Sequence, residues 1–322
     1  MAAEHTTSAT GVEPGRFDVR EFARTAVGSH RSEIDLEAFA ERPLDPATVR
    51  LLAYARELER STMTYLRNVL VTPTHKDARV TAFLTTWAFE KYWIADSFEV
   101  IVKAHGQESL AAQVQQLPRL RALGLELAER ATPIVESFRA NSIGTDVIAL
   151  HLASVTVDEW IVEAAYRRLA ELDPHPVLVA LLEHVATVKA RHRLFVVADT
   201  ERRLAGSKRA RSLARRGLRR IAWPIGASSL ATSETTFFYE HLLDGQLATE
   251  VDGRVRGLPG LEQLSLVADA RAAALTPGGP GARLARRIGR TAASIAHRRR
   301  PPIGRPEPQS TTTPRQHDGD HA

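Results

Sequence analysis

Apolar residues recur every three to four positions in four long segments, and this spacing predicts four long α-helices. The first helix begins after Asp45, a favourable N-cap residue that is followed by Pro46, and extends to about residue 70. Its apolar stripe consists of Leu52, Ala55, Thr62, Leu66 and Val69. One carboxylate, Glu59, falls inside that stripe, so we expect it to face the interior.

Three further long helices are predicted at residues 77–104, 146–172 and 177–204. Short proline-containing breaks separate the members of each pair, which predicts two antiparallel hairpins. Between the pairs, residues 107–141 carry Pro118 and Pro133 and are predicted to form shorter crossover helices. Two hairpins joined by one long crossover are typical of ferritin-like four-helix bundles, so we predict an all-α fold of that class.

The helical signal weakens beyond Leu204, where residues 235–245 and 261–275 are predicted to form additional short C-terminal helices. Pro, Gly, Arg and Thr dominate the last part of the chain without apolar periodicity. The predicted organisation is a disordered lead-in at 1–16, a bundle at 17–205, a basic helical extension at 206–275 and a disordered basic tail at 276–322.

Composition narrows the possible chemistry. The chain has no cysteine, which excludes disulfides and thiolate metal sites, so any metal would be held by His, Asp or Glu. The N-terminus lacks the pattern of a signal peptide, and no run of about 18 uncharged apolar residues occurs. We therefore expect a cytoplasmic protein without a transmembrane segment.

Basic residues are concentrated in two segments, although the net charge is only +5. Nine Arg and Lys side chains lie within residues 202–220, and a second cluster occupies residues 283–305. The first segment has an ordinary interpretation as the solvated face of a helix. It could also bind an acidic protein, an anionic membrane surface or, as the weakest option, nucleic acid.

Four sequence motifs carry the candidate chemistry. They are Glu59-Arg-Ser-Thr-Met-Thr-Tyr65, Trp87-Ala-Phe-Glu90-Lys-Tyr-Trp93, Asp158-Glu159, and Lys189-Ala-Arg-His192 with Asp173-Pro upstream. In order and spacing these motifs resemble those of the acyl carrier protein desaturase family, over roughly residues 45–205. Members of that family are ferritin-like di-iron enzymes that introduce a double bond into a carrier-bound fatty acyl chain.

The resemblance implies that Glu59, Glu90, Glu159 and His192 occupy metal-ligand positions. Trp93 and Lys189 stand where the family has a histidine and a glutamate. The resemblance further implies an iron-dependent oxidoreductase that acts on a hydrophobic acyl substrate, docking of acyl carrier protein on the basic 202–220 segment, and a homodimer.

The two departures change the expected chemistry. An indole offers only an N–H donor, and a lysine brings positive charge to a position meant for a cation. A degraded site that holds mononuclear iron or no metal is therefore expected in place of a full di-iron centre. Lys189 could form an ion pair with Glu59, Glu90 or Glu159, which would make the chain a non-catalytic bundle, or pseudoenzyme, that binds an acyl carrier, a lipid or a protein.

Simpler interpretations of these residues remain open at this point. The three glutamates could belong to a structural polar cluster or to helix surfaces, and Trp87, Trp93 and Trp160 are expected to be core aromatics. His151, His184 and Tyr166 are further candidates for a relocated metal site.

Overall fold

The computed structural model describes residues 17–107 and 144–276, which lie within one compact unit and form helices and turns without strands. The predicted all-α class is therefore confirmed for these residues. Their α-helices are α1 (Val19–Arg24), α2 (Leu36–Glu41), α3 (Pro46–Leu70), α4 (Ala78–Ala104), α5 (Val147–Leu172), α6 (Pro176–Gly206), α7 (Lys208–Leu218), α8 (Thr232–His241), α9 (Gly245–Arg256) and α10 (Leu266–Leu275). The predictions for residues 1–16, for the crossover beyond residue 107 and for the tail from 277 onward lie outside the described residues.

The four long helices, α3 to α6, begin and end close to the predicted positions because their ends carry clear local signals. The Asp45 carboxylate accepts a hydrogen bond from the Ala47 amide at the start of α3. Asp77 caps α4 in the same way through the Val80 amide. Such caps satisfy backbone N–H groups that have no partner within the helix.

The long helices lie side by side, with α3 next to α4 and α5, and α6 next to α4 and α5. Every neighbouring pair is antiparallel. Consequently α4 and α5 run in the same direction, and the end of α4 and the start of α5 lie at opposite ends of these helices. The contacts that fix these directions are Arg56–Glu99 and Glu59–Lys91 (α3 and α4), Tyr65–His151 and Glu59–Tyr166 (α3 and α5), Arg79–Asp199 and Glu90–His192 (α4 and α6), and Thr156–Thr200 and Glu163–Arg193 (α5 and α6).

Apolar packing surrounds the middle of the long helices on both sides. The rings of Phe83 in α4 and Phe195 in α6 are stacked with centroids 4.1 Å apart, and both are fully buried. Toward the other end, Phe98 packs edge-on against Tyr166. Burial of each such large apolar side chain contributes about 1.5–3 kcal/mol to the stability of the fold. The two apolar layers also exclude water from the polar groups that lie between them.

The C-terminal helices share one continuous core with the long helices. Helix α7 buries Ala210, Ala214 and Leu218 and leaves its basic side chains outside. In α8, Phe238 packs against Tyr54 of α3 with ring centroids 5.1 Å apart. Burial of small residues on one face explains why a segment so rich in arginine forms a stable helix.

Two details of this region differ from the sequence analysis. Helix α9 was not predicted, although Asp244 caps its first turn through the Leu247 amide. Helix α10 begins at Leu266, five residues later than predicted, because the Asp252 carboxylate of α9 accepts hydrogen bonds from the first backbone amides of α10. A cap supplied by another helix cannot be read from local sequence.

No α-helix among residues 17–107 and 144–276 combines the length and the apolar composition that crossing a bilayer requires.

Candidate functional site

Five side chains from the sequence motifs converge on one buried region, namely Glu59, Glu90, Glu159, Lys189 and His192. Together with three neighbours they form what we call the central cluster, and none of its members is more than 4 % exposed. The central cluster consists of Glu59 (α3), Glu90 and Lys91 (α4), Asp158, Glu159 and Tyr166 (α5), and Lys189 and His192 (α6).

Lys189 links α6 to α3 and α5. Its Nζ atom lies 2.9 Å from Glu59 Oε1 and 3.6 Å from Glu159 Oε2. The ion pair expected from the sequence is thus formed with Glu59 and Glu159. An ammonium group at this distance supplies the positive charge that two buried carboxylates require.

A second lysine, Lys91, enters the same region from α4 and was missed in the sequence analysis. Its Nζ atom lies 3.2 Å from Glu59 Oε2, 3.4 Å from Asp158 Oδ2 and 3.8 Å from Glu159 Oε1. The signal was present, because Lys91 lies one helical turn after the buried Trp87 and therefore shares its inward face. Asp158 also accepts a hydrogen bond from the Ile225 amide at 2.8 Å.

The other half of the central cluster is built around Glu90. Its Oε2 atom lies 2.7 Å from His192 Nε2, and its Oε1 atom accepts a hydrogen bond from the Val27 amide at 2.8 Å. The Arg191 guanidinium is 3.6 Å from the same carboxylate. The two halves meet where His192 Nδ1 approaches Glu159 Oε1 at 3.6 Å.

The two glutamates beside the lysines are held in their ionised form. Burial by itself would favour protonation of Glu159, but Lys189, Lys91 and His192 outweigh it and hold the pKa of this carboxyl well below its ordinary value. The same opposition between burial and the two lysines lowers the pKa of Glu59. The central cluster therefore balances buried negative charge with buried positive charge.

Burial and neighbouring charges also shift the pKa values of Asp158 and Lys91. Burial raises the pKa of Asp158, and the nearby Lys91 only partly offsets this effect. For Lys91, burial opposes the charged form, but the carboxylates of Glu59, Asp158 and Glu159 prevail and raise its pKa. Lys91 is thus a permanent cation at neutral pH.

Neutral donors bind one oxygen of Glu59 and one of Glu159, whereas Glu59 Oε2 and Glu159 Oε2 have no hydrogen-bond partner among the described residues. The Tyr166 hydroxyl donates to Glu59 Oε1 at 2.6 Å, and the Trp87 indole donates to Glu159 Oε1 at 2.8 Å. Burial together with the adjacent Glu59 raises the pKa of Tyr166, so its phenol remains protonated. Trp87 is the core aromatic that was expected, and it also binds a carboxylate.

Trp93 lies outside this arrangement. It is half-buried, and its ring packs edge-on against Phe89 and Tyr92, both of which are partly exposed on α4. Among the described residues, no hydrogen bond or ion pair joins Trp93 to the central cluster. Trp160 is buried as expected, with the Arg254 guanidinium 4.8 Å from its ring centre.

The donors of the central cluster do not fit the di-iron group that the resemblance implies. Two ammonium groups lie between 2.9 and 3.8 Å from the carboxylate oxygens that would hold metal. A cation placed among them would be repelled by both, and the Trp93 position offers no lone pair. Metal ligation by Glu59, Glu90, Glu159 and His192 stays a prediction.

The three additional candidates are distributed over different places. Tyr166 belongs to the central cluster, whereas His151 hydrogen-bonds to Thr74 at 2.8 Å, and burial lowers its pKa to about 4. His184 lies with His30 and Glu33 in a separate group, whose ligand atoms lie within 4.8 Å of one another. This separate group could hold a metal ion.

The basic segment forms the end of α6 and all of α7. Arg202 and Arg203 are paired with Asp199 and Arg203 also with Asp77, so they contribute to internal structure. Other basic side chains are exposed, and no described acidic side chain lies within 4 Å of them as an ion-pair partner. These are Lys208, Arg215, Arg216, Arg219 and Arg220.

No family model matches this chain, and comparison with curated proteins and with solved structures found no similar protein.

Proposed function

We propose that this chain is a metal-free, non-catalytic descendant of a ferritin-like bundle and that it functions as a binding protein for an acidic partner. The observation that carries the proposal is the pair of lysine ammonium groups that lie 2.9 Å and 3.2 Å from the two oxygens of Glu59. In a ferritin-like site that carboxylate is a metal ligand.

Charge balance supports a metal-free state. The lysines neutralise carboxylates that would otherwise be buried without compensation, which costs several kcal/mol for each ion. Tyr166 and Trp87 add neutral donors to Glu59 Oε1 and Glu159 Oε1. A metal ion would have to displace these partners and would gain little from carboxylates already engaged by cations.

The binding surface in this proposal is the outer face of α7. Its exposed arginines extend from a helix whose other face is buried, so they present positive charge at fixed positions. A rigid basic face of this kind attracts an acidic partner and speeds its association. Acyl carrier protein is the acidic partner that the sequence resemblance implies.

Fluorescence anisotropy with a labelled acyl carrier protein tests this function. We expect saturable binding at low salt that weakens as ionic strength rises. The double variant Arg215→Glu/Arg219→Glu should weaken binding by about tenfold or more, equivalent to ~1.4 kcal/mol. The matched control is Arg67→Glu on the exposed surface of α3, which should leave binding unchanged. Absence of binding, or equal losses in both variants, would contradict the proposal.

An iron-dependent oxidoreductase is the second candidate, and one observation favours it. Glu59, Glu90, Glu159 and His192, the four side chains at ligand positions, converge in one buried region. Such an enzyme would consume dioxygen when supplied with ferrous iron, a reductant and an acyl-carrier substrate. Oxygen uptake that depends on Glu159 would support this candidate over the binding protein.

A further inference from the structure

A second polar group lies outside the central cluster, where residues 25–33 meet α6. These residues, which lie between α1 and α2, are called the N-terminal strap below. His30 and Glu33 belong to the strap, and His184 belongs to α6. The distance from His184 Nδ1 to Glu33 Oε2 is 3.5 Å, and the two imidazole rings have centroids 5.0 Å apart.

This group has buried nitrogen atoms that lack hydrogen-bond partners. His30 is only 1 % exposed, yet neither of its ring nitrogens has a partner among the described residues. Leaving one buried polar atom unsatisfied costs about 1–3 kcal/mol, so the buried His30 ring calls for a ligand at one of its nitrogens.

The donor set identifies the class of ligand. Two imidazoles and one carboxylate are typical of sites for zinc and related divalent transition metals, whereas calcium and magnesium prefer oxygen donors alone. In a tetrahedral site with bonds of about 2.1 Å, neighbouring donor atoms lie about 3.4 Å apart. The separation of 3.5 Å between His184 Nδ1 and Glu33 Oε2 is close to that value.

Charge around the group also favours a cation. Glu33, Glu90 and Asp96 all contribute negative potential at His30. The nearby Arg31 is directed to the Asp96 carboxylate at 2.7 Å. This setting is the opposite of the central cluster, where lysines lie among the carboxylates.

We propose that His30, Glu33 and His184 bind one divalent transition-metal ion of the zinc class, and that the ion fastens the N-terminal strap to α6. The described residues supply three ligands, and a water molecule can complete a tetrahedral site. This inference does not rest on the proposed function, because its residues are separate from the central cluster and from α7.

Fastening the strap has a consequence for the central cluster. The strap supplies the Val27 amide that binds Glu90, and Arg191 of α6 donates to the carbonyl of Thr25 at 3.1 Å. The strap therefore covers the Glu90 and His192 end of the central cluster. A bound ion would hold that cover closed and reduce the exchange of buried amides with water.

Titration with Co²⁺ and then Zn²⁺ tests the site. We expect wild-type protein to bind one Co²⁺ with the visible absorption of a tetrahedral complex, and Zn²⁺ to displace it. Glu33→Gln and His184→Gln should each weaken Co²⁺ binding by more than about tenfold, since even loss of a residue that only orients a metal ligand costs ~10–100-fold. Because the Glu33 side chain is 51 % exposed, Glu33→Gln should fold normally.

The matched control is His241→Gln in α8, which should bind Co²⁺ as the wild type does. Hydrogen exchange provides a second readout, in which Zn²⁺ slows exchange of the Val27 amide in wild type but not in Glu33→Gln. Absence of saturable Co²⁺ and Zn²⁺ binding in the wild type would overturn the proposal. Undiminished binding in both Glu33→Gln and His184→Gln would also overturn it.

Discussion

Lys189 Nζ lies 2.9 Å from Glu59 Oε1 in a region where both side chains are at most 1 % exposed. This contact joins α6 to α3 through the interior, between helices that are not consecutive in sequence. Because either charge alone would be costly in these surroundings, each side chain requires the other.

Removal of the Lys189 charge should therefore strongly destabilise the fold. We expect Lys189→Met to lower the free energy of unfolding by about 3–5 kcal/mol, since Glu59 then loses its nearest cation. Adding Glu59→Gln to this variant should recover part of the loss. Chemical denaturation followed by circular dichroism measures both effects.

The control for this experiment is Lys103→Met in α4. Lys103 pairs with Glu99; the Lys103 side chain is 67 % exposed, and Glu99, which is 10 % exposed, keeps Arg56 as a second partner. Exposed ion pairs contribute about 0–1 kcal/mol, so this variant should remain close to wild type. Equal losses in Lys103→Met and Lys189→Met would contradict the role assigned to Lys189.

The sequence predicted the four long helices and the convergence of Glu59, Glu90, Glu159, Lys189 and His192, because helical periodicity determines which side chains face inward. It did not predict Lys91, whose role depends on three carboxylates contributed by two other helices. It also missed the pairing of His30 with His184, which are far apart in sequence. The spacing from Trp87 indicates that Lys91 faces inward, but the partners of Lys91 and of His30 are tertiary contacts, which leave no local pattern.

Stability should depend on pH through the central cluster. The pKa of Glu159 is lower in the folded protein than in the unfolded chain, so its stabilisation is complete above about pH 4.3 and disappears as pH falls through the folded pKa. Asp158 acts in the opposite direction. Its raised pKa favours folding at low pH, and this contribution is lost as pH rises through the folded pKa.

The free energy of unfolding, measured at intervals of about one pH unit between about pH 3 and pH 6, tests the direction of both effects. We expect Glu159→Gln to reduce the loss of stability on the acid side and Asp158→Asn to make it steeper. Glu183→Gln on the exposed surface of α6 is the matched control and should follow the wild-type curve. A Glu159→Gln profile parallel to the wild type would show that this carboxylate does not control acid stability.

Conversion of the central cluster to a metal site should require replacement of both lysines. We expect Lys91→Gln/Lys189→Glu to bind ferrous iron more tightly than either single variant. The double substitution removes two positive charges and adds one carboxylate ligand. Competition with a coloured iron chelator under anaerobic conditions measures this affinity. Trp93→His alone should have little effect, since the Trp93 side chain packs against Phe89 and Tyr92. Equal iron affinity in wild type and the double variant would refute the prediction.

The turn that supplies the Ile225 amide to Asp158 depends on Gly226. Its φ angle is +97°, and a Cβ atom there would collide with the side chain of Ser61. We expect Gly226→Ala to lower the free energy of unfolding by about 1–3 kcal/mol. The control is Gly206→Ala at the end of α6, where a Cβ atom meets nothing within 4 Å and stability should change by less than about 1 kcal/mol. A neutral Gly226→Ala would contradict the required conformation.

Anaerobic titration of ferrous iron tests the metal-free state most directly. The Glu33→Gln variant is the appropriate protein, because it disables the proposed His30, Glu33 and His184 site and leaves the central cluster intact. We predict that this variant retains no iron after removal of unbound metal and shows no oxo-to-iron absorption when exposed to air. Retention of iron that is lost on Glu159→Gln substitution would contradict the account, because it would show that metal occupies the central cluster despite Lys91 and Lys189.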